Sequence, residues 1–230
     1  MVDHSVGSDI RQTQRGAFIL FEGVDRCGKT TQANLLVESL KQAGRDACFM
    51  RFPDRTTPIG QVINDFLQKT TDVDDRCIHL LFSANRWEAE SKIRERLKAG
   101  TTVVCDRYAY SGVAFSASKP GLEIGWCKDP DRGLPAPDTI LYLDIPVEDA
   151  VKRGQFGEER YEKEEFQRTV RATFLSLMED DKADGVHWRM IDATRSIKDI
   201  QDHIMEVATS TMDSVKGKEI SSLWSNLPKK

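Results

Sequence analysis

Gly23-Val24-Asp25-Arg26-Cys27-Gly28-Lys29-Thr30 follows the pattern G-x-x-x-x-G-K-[ST]. In such a loop the backbone N–H groups converge on phosphate oxygens, the lysine reaches the outer phosphates and the hydroxyl can ligate Mg²⁺. A second pair, Asp106-Arg107, follows the β-branched apolar run Thr101 to Cys105. Ligands of parallel α/β sheets sit at that end of the strands. An acid there can hold Mg²⁺ or its waters, and the neighbouring arginine can clamp a phosphate. The plainer alternatives are an aspartate capping the next helix and a solvated arginine. Arg26, Arg55, Arg86, Arg107, Arg153 and Arg160 all fall on the predicted ligand side. A pocket that joins two phosphorylated partners gathers negative charge and needs such cations, although any one of them alone is more often a surface residue. The chain contains no N-K-x-D base-reading motif, which argues against a GTPase.

The elements that position these residues can be read in order. Ala17 to Phe21 is a buried-strand run, and Ala33, Leu36, Val37 and Leu40 recur at helical spacing until Gly44, so strand, glycine loop and helix follow in sequence. The helix start adds positive potential to the loop amides. Ala47 to Phe52 reads as a strand ended by Pro53, and Ile59 to Leu67 as a helix. One long helix is predicted from near Asp74 to Gly100, followed by the strand at 101–105 and a helix over Tyr108 to Ala117. Beyond a loop-rich stretch with a short helix at Ile124 to Lys128, Thr139 to Leu143 is a strand and Pro146 to Lys152 a helix start. Arg153 to Arg160, with two glycines, suggests a hinged flap. A helix from Glu164 to Asp181, a strand near His187 to Asp192 and a helix from Ser196 to Met212 complete the body. Leu223, Trp224 and Leu227 are expected to pack back on it, and residues 1–14 to form a loose tail. The expected fold is α/β, in three layers: a five-stranded parallel sheet with helices on both faces, one domain over 15–230 and a short lid at about 153–161.

Composition narrows the function. At 230 residues, with 30% charged side chains of mixed sign and a net charge of −4, the chain carries no electrostatic footprint for nucleic acid or an anionic membrane. No apolar run approaches the ~20 residues that span a bilayer. Met1 to Gln14 lacks the apolar centre of a secretion signal. Five scattered cysteines without a C-x-x-C pair indicate neither a disulfide framework nor a zinc site, and suit a reducing compartment.

Several stretches together carry a resemblance: Phe21 to Gln32, Arg51 to Arg55 (Arg-Phe-Pro-Asp-Arg), His79 to Glu88, Asp106 to Phe115 and Gly157 to Glu162. The chain from about Arg15 to Trp224 resembles the thymidylate kinases of the eukaryotic type, within the P-loop nucleoside monophosphate kinases. The resemblance implies transfer of the ATP γ-phosphate to dTMP, giving dTDP and ADP on the way to dTTP. A deoxynucleoside kinase and a non-catalytic nucleotide-binding protein are the alternatives. By the same resemblance Gly23, Cys27, Gly28, Lys29 and Thr31 line the donor phosphates, Thr30 and Asp106 organise Mg²⁺, Arg26 reaches the γ-phosphate and Arg195 contacts adenine. Arg55 and Arg107 grip the acceptor phosphate. Phe82 stacks on the base and Arg86 bonds its edge, an i, i+4 pair on one helix face, though spacing alone would make Phe82 a core residue. Phe52, Ser111, Gly112 and Phe115 complete the acceptor pocket, and Asp25, Tyr161 and Gln167 lie near its sugar. Arg153 and Arg160 close over the phosphates from the flap, or else pair with Glu158, Glu159 and Glu162 as a solvated cluster. Cys27, where a small residue is expected, is either a reactive thiol whose modification blocks ATP or a neutral filler. The resemblance also implies a homodimer. The expected compartment is the cytoplasm, with nucleus or mitochondrion as further ones, and the charge pattern and hydropathy give no nucleic-acid or membrane partner.

Overall fold

The apolar run ahead of the glycine loop is the central strand, β1 (Phe18–Glu22). In the computed structural model, which describes residues 15–153, 156–183 and 186–225, it is flanked by four further parallel strands. These are β2 (Ala47–Arg51), β3 (Thr102–Asp106), β4 (Thr139–Asp144) and β5 (Trp188–Asp192), in the order β2-β3-β1-β4-β5. The expected tail at 1–14, Gly154 and Gln155 of the flap, and Leu227 lie outside the described residues. Phe21 pairs with Asp106, so the glycine loop and the Asp106-Arg107 pair leave neighbouring strands at one level.

The helices are α1 (Lys29–Gln42), α2 (Pro58–Leu67), α3 (Asp75–Trp87), α4 (Glu90–Lys98) and α5 (Ala109–Ala117). They continue with α6 (Ile124–Lys128), α7 (Val147–Val151), α8 (Glu164–Ala183) and α9 (Ile197–Ser214). The period-2 alternation of the strands builds the two helical layers. Phe18 and Leu20, Val103 and Cys105, and Ile140 and Tyr142 pack with α4, α5 and α8. Ile19, Phe21, Val104, Leu141 and Leu143 pack with Leu36 and Leu40 of α1 and Ile200 and Ile204 of α9. Ile63, Phe66 and Leu67 of α2 form a smaller cluster with Ile78 of α3. Leu223 is buried in the first layer, where Trp224 packs beside it.

One expectation is corrected. The long helix predicted over 74–100 is two helices, interrupted at Glu88 and Ala89. Its apolar stripe serves two different cores: Ile78 belongs to the α2/α3 cluster, whereas Ile93 and Leu97 pack on the sheet. The chain must turn between them, and it does so with a tight bond from Ala89 N–H to the Arg86 carbonyl at 3.1 Å.

Candidate active site

The C-terminal ends of β1 and β3 open on a cavity of about 780 Å³. On one side Gly28, in the left-handed region at φ 103°, turns the glycine loop into α1. Lys29 donates to the carbonyls of Gly23 (3.2 Å) and Val24 (2.7 Å) and to Cys27 Sγ (3.3 Å). The lysine thus rests on its own loop. Thr30 Oγ1 donates to Asp106 Oδ2 at 2.5 Å, while Asp106 Oδ1 is buried without a hydrogen-bond partner. An orphaned carboxylate oxygen beside a hydroxyl suits a hard cation such as Mg²⁺. Among the described residues no group of three His, Cys, Asp or Glu side chains could hold a metal, so a cation here draws its remaining ligands from water and phosphate.

Arg107 and Glu22 organise the floor. Arg107, at φ 69°, ion-pairs with Asp25, donates to the Gly23 carbonyl and to Ser111 Oγ at 3.1 Å each, and lies over the Phe115 ring. The fully buried Glu22 accepts the N–H groups of Tyr108 and Ser111, each at 3.0 Å, and the Ser111 hydroxyl at 2.5 Å. Burial pushes its pKa up, against the opposing pull of the Ser111 bonds and the Arg107 charge. Glu22 therefore caps the start of α5, and Asp106 does not. Asp25 is held in turn by Gln167, which accepts from Asp25 N–H (2.9 Å) and donates to Asp25 Oδ2 (2.6 Å) and to the Tyr161 carbonyl (2.9 Å).

On the α3 side Phe82 and Arg86 line the cavity. Arg86 is 2% exposed and is gripped by both oxygens of Asp131, at 3.0 and 2.6 Å. Gly112 lies so close that a Cβ there would stand 2.7 Å from Arg86 Nη2. Asn85 fixes the preceding loop by bonding both the N–H and the carbonyl of Asp54. In that loop Arg55 bonds Asn64 Oδ1 at 3.0 Å and Glu159 at 2.7 Å.

Across the cavity Arg26, at φ 62°, ion-pairs with Glu162 at 2.9 Å. Burial disfavours the Glu162 carboxylate, but Arg26 and the amides of Gly157 and Glu159 hold its pKa below the usual range. Arg153 donates to the carbonyls of Cys27 (2.9 Å) and Ala193 (2.6 Å).

The cavity wall brings together Asp25, Arg26, Cys27, Gly28, Lys29, Thr30, Thr31, Phe52, Arg55, Phe82, Arg86, Asp106, Arg107, Ser111, Gly112, Phe115, Arg153, Tyr161 and Arg195. Gly23 and Gln167 stand behind it and act through hydrogen bonds. Arg160 is not in the wall: its guanidinium bonds the carbonyls of Phe66 (2.8 Å) and Thr71 (3.0 Å), pairs with Asp72 and stacks on Phe66. The flap arginines do not form the solvated cluster either, since Glu159 and Glu162 pair with Arg55 and Arg26. Cys27 is 1% exposed and packs under α1, with its Sγ accepting from Lys29 at 3.3 Å, a placement that suits the filler of the two readings. The residues missed from sequence are Glu22, Arg51, Asn85, Ser116 and Asp131. Glu22, Arg51 and Asn85 carried a signal, lying inside the stretches that carry the resemblance.

Comparison with known proteins agrees with this geometry. A family model described as thymidylate kinase matches residues 21–204. The thymidylate kinases of Danio rerio and Homo sapiens are each 46% identical over 211 residues, 92% of this chain and 98% of theirs. That of Dictyostelium discoideum is 48% identical over 211 residues, 91% of this chain and 92% of its own. Among solved structures, a thymidylate kinase from Candida albicans superposes with a TM-score of 0.82 at 35% identity, covering 91% of this chain and 98% of that one. With its glycine loop, strand-end acid and second arginine set in one cavity, the chain belongs to the thymidylate kinase family.

Proposed function

We propose that the protein is an ATP-dependent dTMP kinase, transferring the ATP γ-phosphate to dTMP to give dTDP and ADP for dTTP synthesis. The observation that carries the reading is a single cavity walled by the glycine loop, with Arg107 bonded to it, and by Arg55, Phe82 and Arg86. A phosphate oxygen of dTMP attacks the γ-phosphorus as the bond to the ADP oxygen breaks. The protein's contribution is alignment and charge stabilisation. Lys29 exchanges its loop carbonyls for donor phosphate oxygens, and Arg26 and Arg153 approach the group in transfer. Arg55 and Arg107 hold the acceptor phosphate. A nucleoside without that phosphate leaves these cations uncompensated, which favours the monophosphate over thymidine. Thr30 and Asp106 would hold Mg²⁺, which would supply charge neutralisation of the polyphosphate.

The segment 153–161 serves as the lid. It supplies Glu159 to Arg55, and Glu162 just beyond it pairs with Arg26. Incoming phosphates compete for both cations. For Arg160 to join them it must leave Phe66, Thr71 and Asp72.

A homodimer is the proposed assembly, supported by exposed Val62, Leu80 and Trp87 on the adjoining α2 and α3. No helix of the described residues is long and apolar enough to cross a membrane, and the cytoplasm is the proposed compartment.

ADP release measured with ATP and Mg²⁺ against dTMP, dUMP, dCMP, dGMP and thymidine tests the reading. Turnover with dTMP that Arg55→Ala removes, with ATP binding retained, is expected. Preference for thymidine would favour a deoxynucleoside kinase, and no acceptor-dependent turnover would leave a binding protein.

A further inference from the structure

We propose that His79 is a positioning residue that fixes the Ser116 hydroxyl as a hydrogen-bond acceptor toward the nucleobase, favouring a pyrimidine with an imide N–H over cytosine. The inference rests on the monophosphate kinase reading above. His79 is fully buried on α3, and its spacing to Phe82 and Arg86 places all three on one helix stripe. Its Nε2 lies 3.1 Å from the Cys127 carbonyl and its Nδ1 2.8 Å from Ser116 Oγ. A carbonyl only accepts, so Nε2 carries the hydrogen. Burial and the nearby Arg86 charge lower the His79 pKa to about 4, leaving the ring neutral at pH 7 and Nδ1 without a proton. The Ser116 hydroxyl must therefore donate to Nδ1. Its lone pairs are what it can offer elsewhere.

Ser116 lines the cavity one turn beyond Gly112, which abuts Arg86. Arg86 can only donate and a committed Ser116 can only accept. Thymine and uracil offer O4 as acceptor and N3–H as donor, matching both, whereas cytosine offers the opposite pattern at the same two atoms. Freed from His79, the hydroxyl could rotate and donate to cytosine N3. Discrimination between the bases is thus partly stored in a histidine that does not itself line the cavity.

The test uses His79→Gln, whose amide N–H can still meet the Cys127 carbonyl while the Nδ1 acceptor is lost. The ratio of kcat/KM for dTMP over dCMP is expected to fall by about three- to tenfold, the worth of one neutral hydrogen bond. Ser116→Ala should lower the ratio similarly, and adding His79→Gln to it should change the ratio no further. An unchanged ratio in His79→Gln, or an equal fall in the Ser116→Ala background, would overturn the proposal. Should His79→Gln fail to fold, an unchanged ratio in Ser116→Ala alone would overturn it. Long-range ¹H–¹⁵N spectra of the whole protein give an independent readout: the Nε2–H tautomer is expected at His79, and the Nδ1–H tautomer would reject the mechanism. Absence of dTMP turnover in wild type would instead defeat the kinase reading, leaving the tautomer result to stand by itself.

Discussion

The Arg55 guanidinium and the Glu159 carboxylate meet at 2.7 Å, and both residues line the cavity, so a cation proposed for the acceptor side is held by an anion of the proposed lid. The pair is one-third exposed on both sides, where such bridges contribute little to stability. Under the proposed function its effect is on binding, because the acceptor phosphate would have to displace it. Glu159→Gln is expected to lower the KM for dTMP by about two- to fivefold, with less dependence on salt. Arg55→Ala is expected to raise it on the order of 100-fold. Initial rates at low and high ionic strength check both signs, and a higher KM in Glu159→Gln would show that the glutamate does not compete.

Asp106→Asn keeps the shape of the Thr30 contact but removes the charge. The apparent Mg²⁺ affinity should fall by roughly 10- to 100-fold, the usual effect of disturbing such support. Magnesium titrations at saturating ATP and dTMP measure it. Chelation with EDTA should abolish turnover in wild type, with recovery on adding Mg²⁺ back.

Gly112→Ala tests the close approach of α5 to Arg86. The new methyl would stand 2.7 Å from Arg86 Nη2 and 3.1 Å from Cζ, and the two bonds to Asp131 prevent the guanidinium from retreating. The expected cost is about 1–3 kcal/mol of stability together with a raised KM for dTMP. Urea unfolding and acceptor titration read the two effects separately.

Acid should destabilise the fold through His79. The ring is packed by Ser116, Cys127 and Trp126, and the charges acting on it are Arg86, Lys119 and Asp131. Burial, chiefly, lowers its pKa from 6.5 to about 4, so the unfolded chain binds this proton first. Its contribution is complete above pH 6.5 and is lost as pH falls toward 4, up to about 3 kcal/mol. Stability curves of wild type and His79→Gln between pH 7 and 4.5 should converge on acidification. Parallel curves would contradict the assignment.

Thiol labelling separates Cys27 from Cys77. Exposed Cys77 should react with iodoacetamide quickly and Cys27 slowly, whether or not ATP is present. Rapid labelling of Cys27 that ATP suppresses would restore the reactive-thiol reading.

The arginines were legible because their types fall in motifs at strand and helix ends. Their resting partners were not, since Arg86 with Asp131, Arg26 with Glu162 and Arg55 with Glu159 are separated by 45, 136 and 104 residues. Local spacing carries no information about such pairs. Strand and helix identity followed from periodicity, which is a local property, and so the five-stranded parallel sheet was recovered. The break at Ala89 was hidden because an apolar stripe keeps its period even when its two halves serve different cores. Ser116 was passed over for a related reason. A serine on a helix has no distinguishing pattern until its neighbour is known to be a neutral histidine.

Arg26 and Arg107 both hold a left-handed backbone, at φ 62° and 69°, a conformation that costs a side-chain-bearing residue on the order of 1–2 kcal/mol and glycine almost nothing. At two positions of the cavity wall the chain retains charge where backbone preference alone would choose glycine. Selection by heat resistance alone would press these two codons toward an inert protein. Libraries built to toughen this scaffold must therefore be sorted on turnover from the first round.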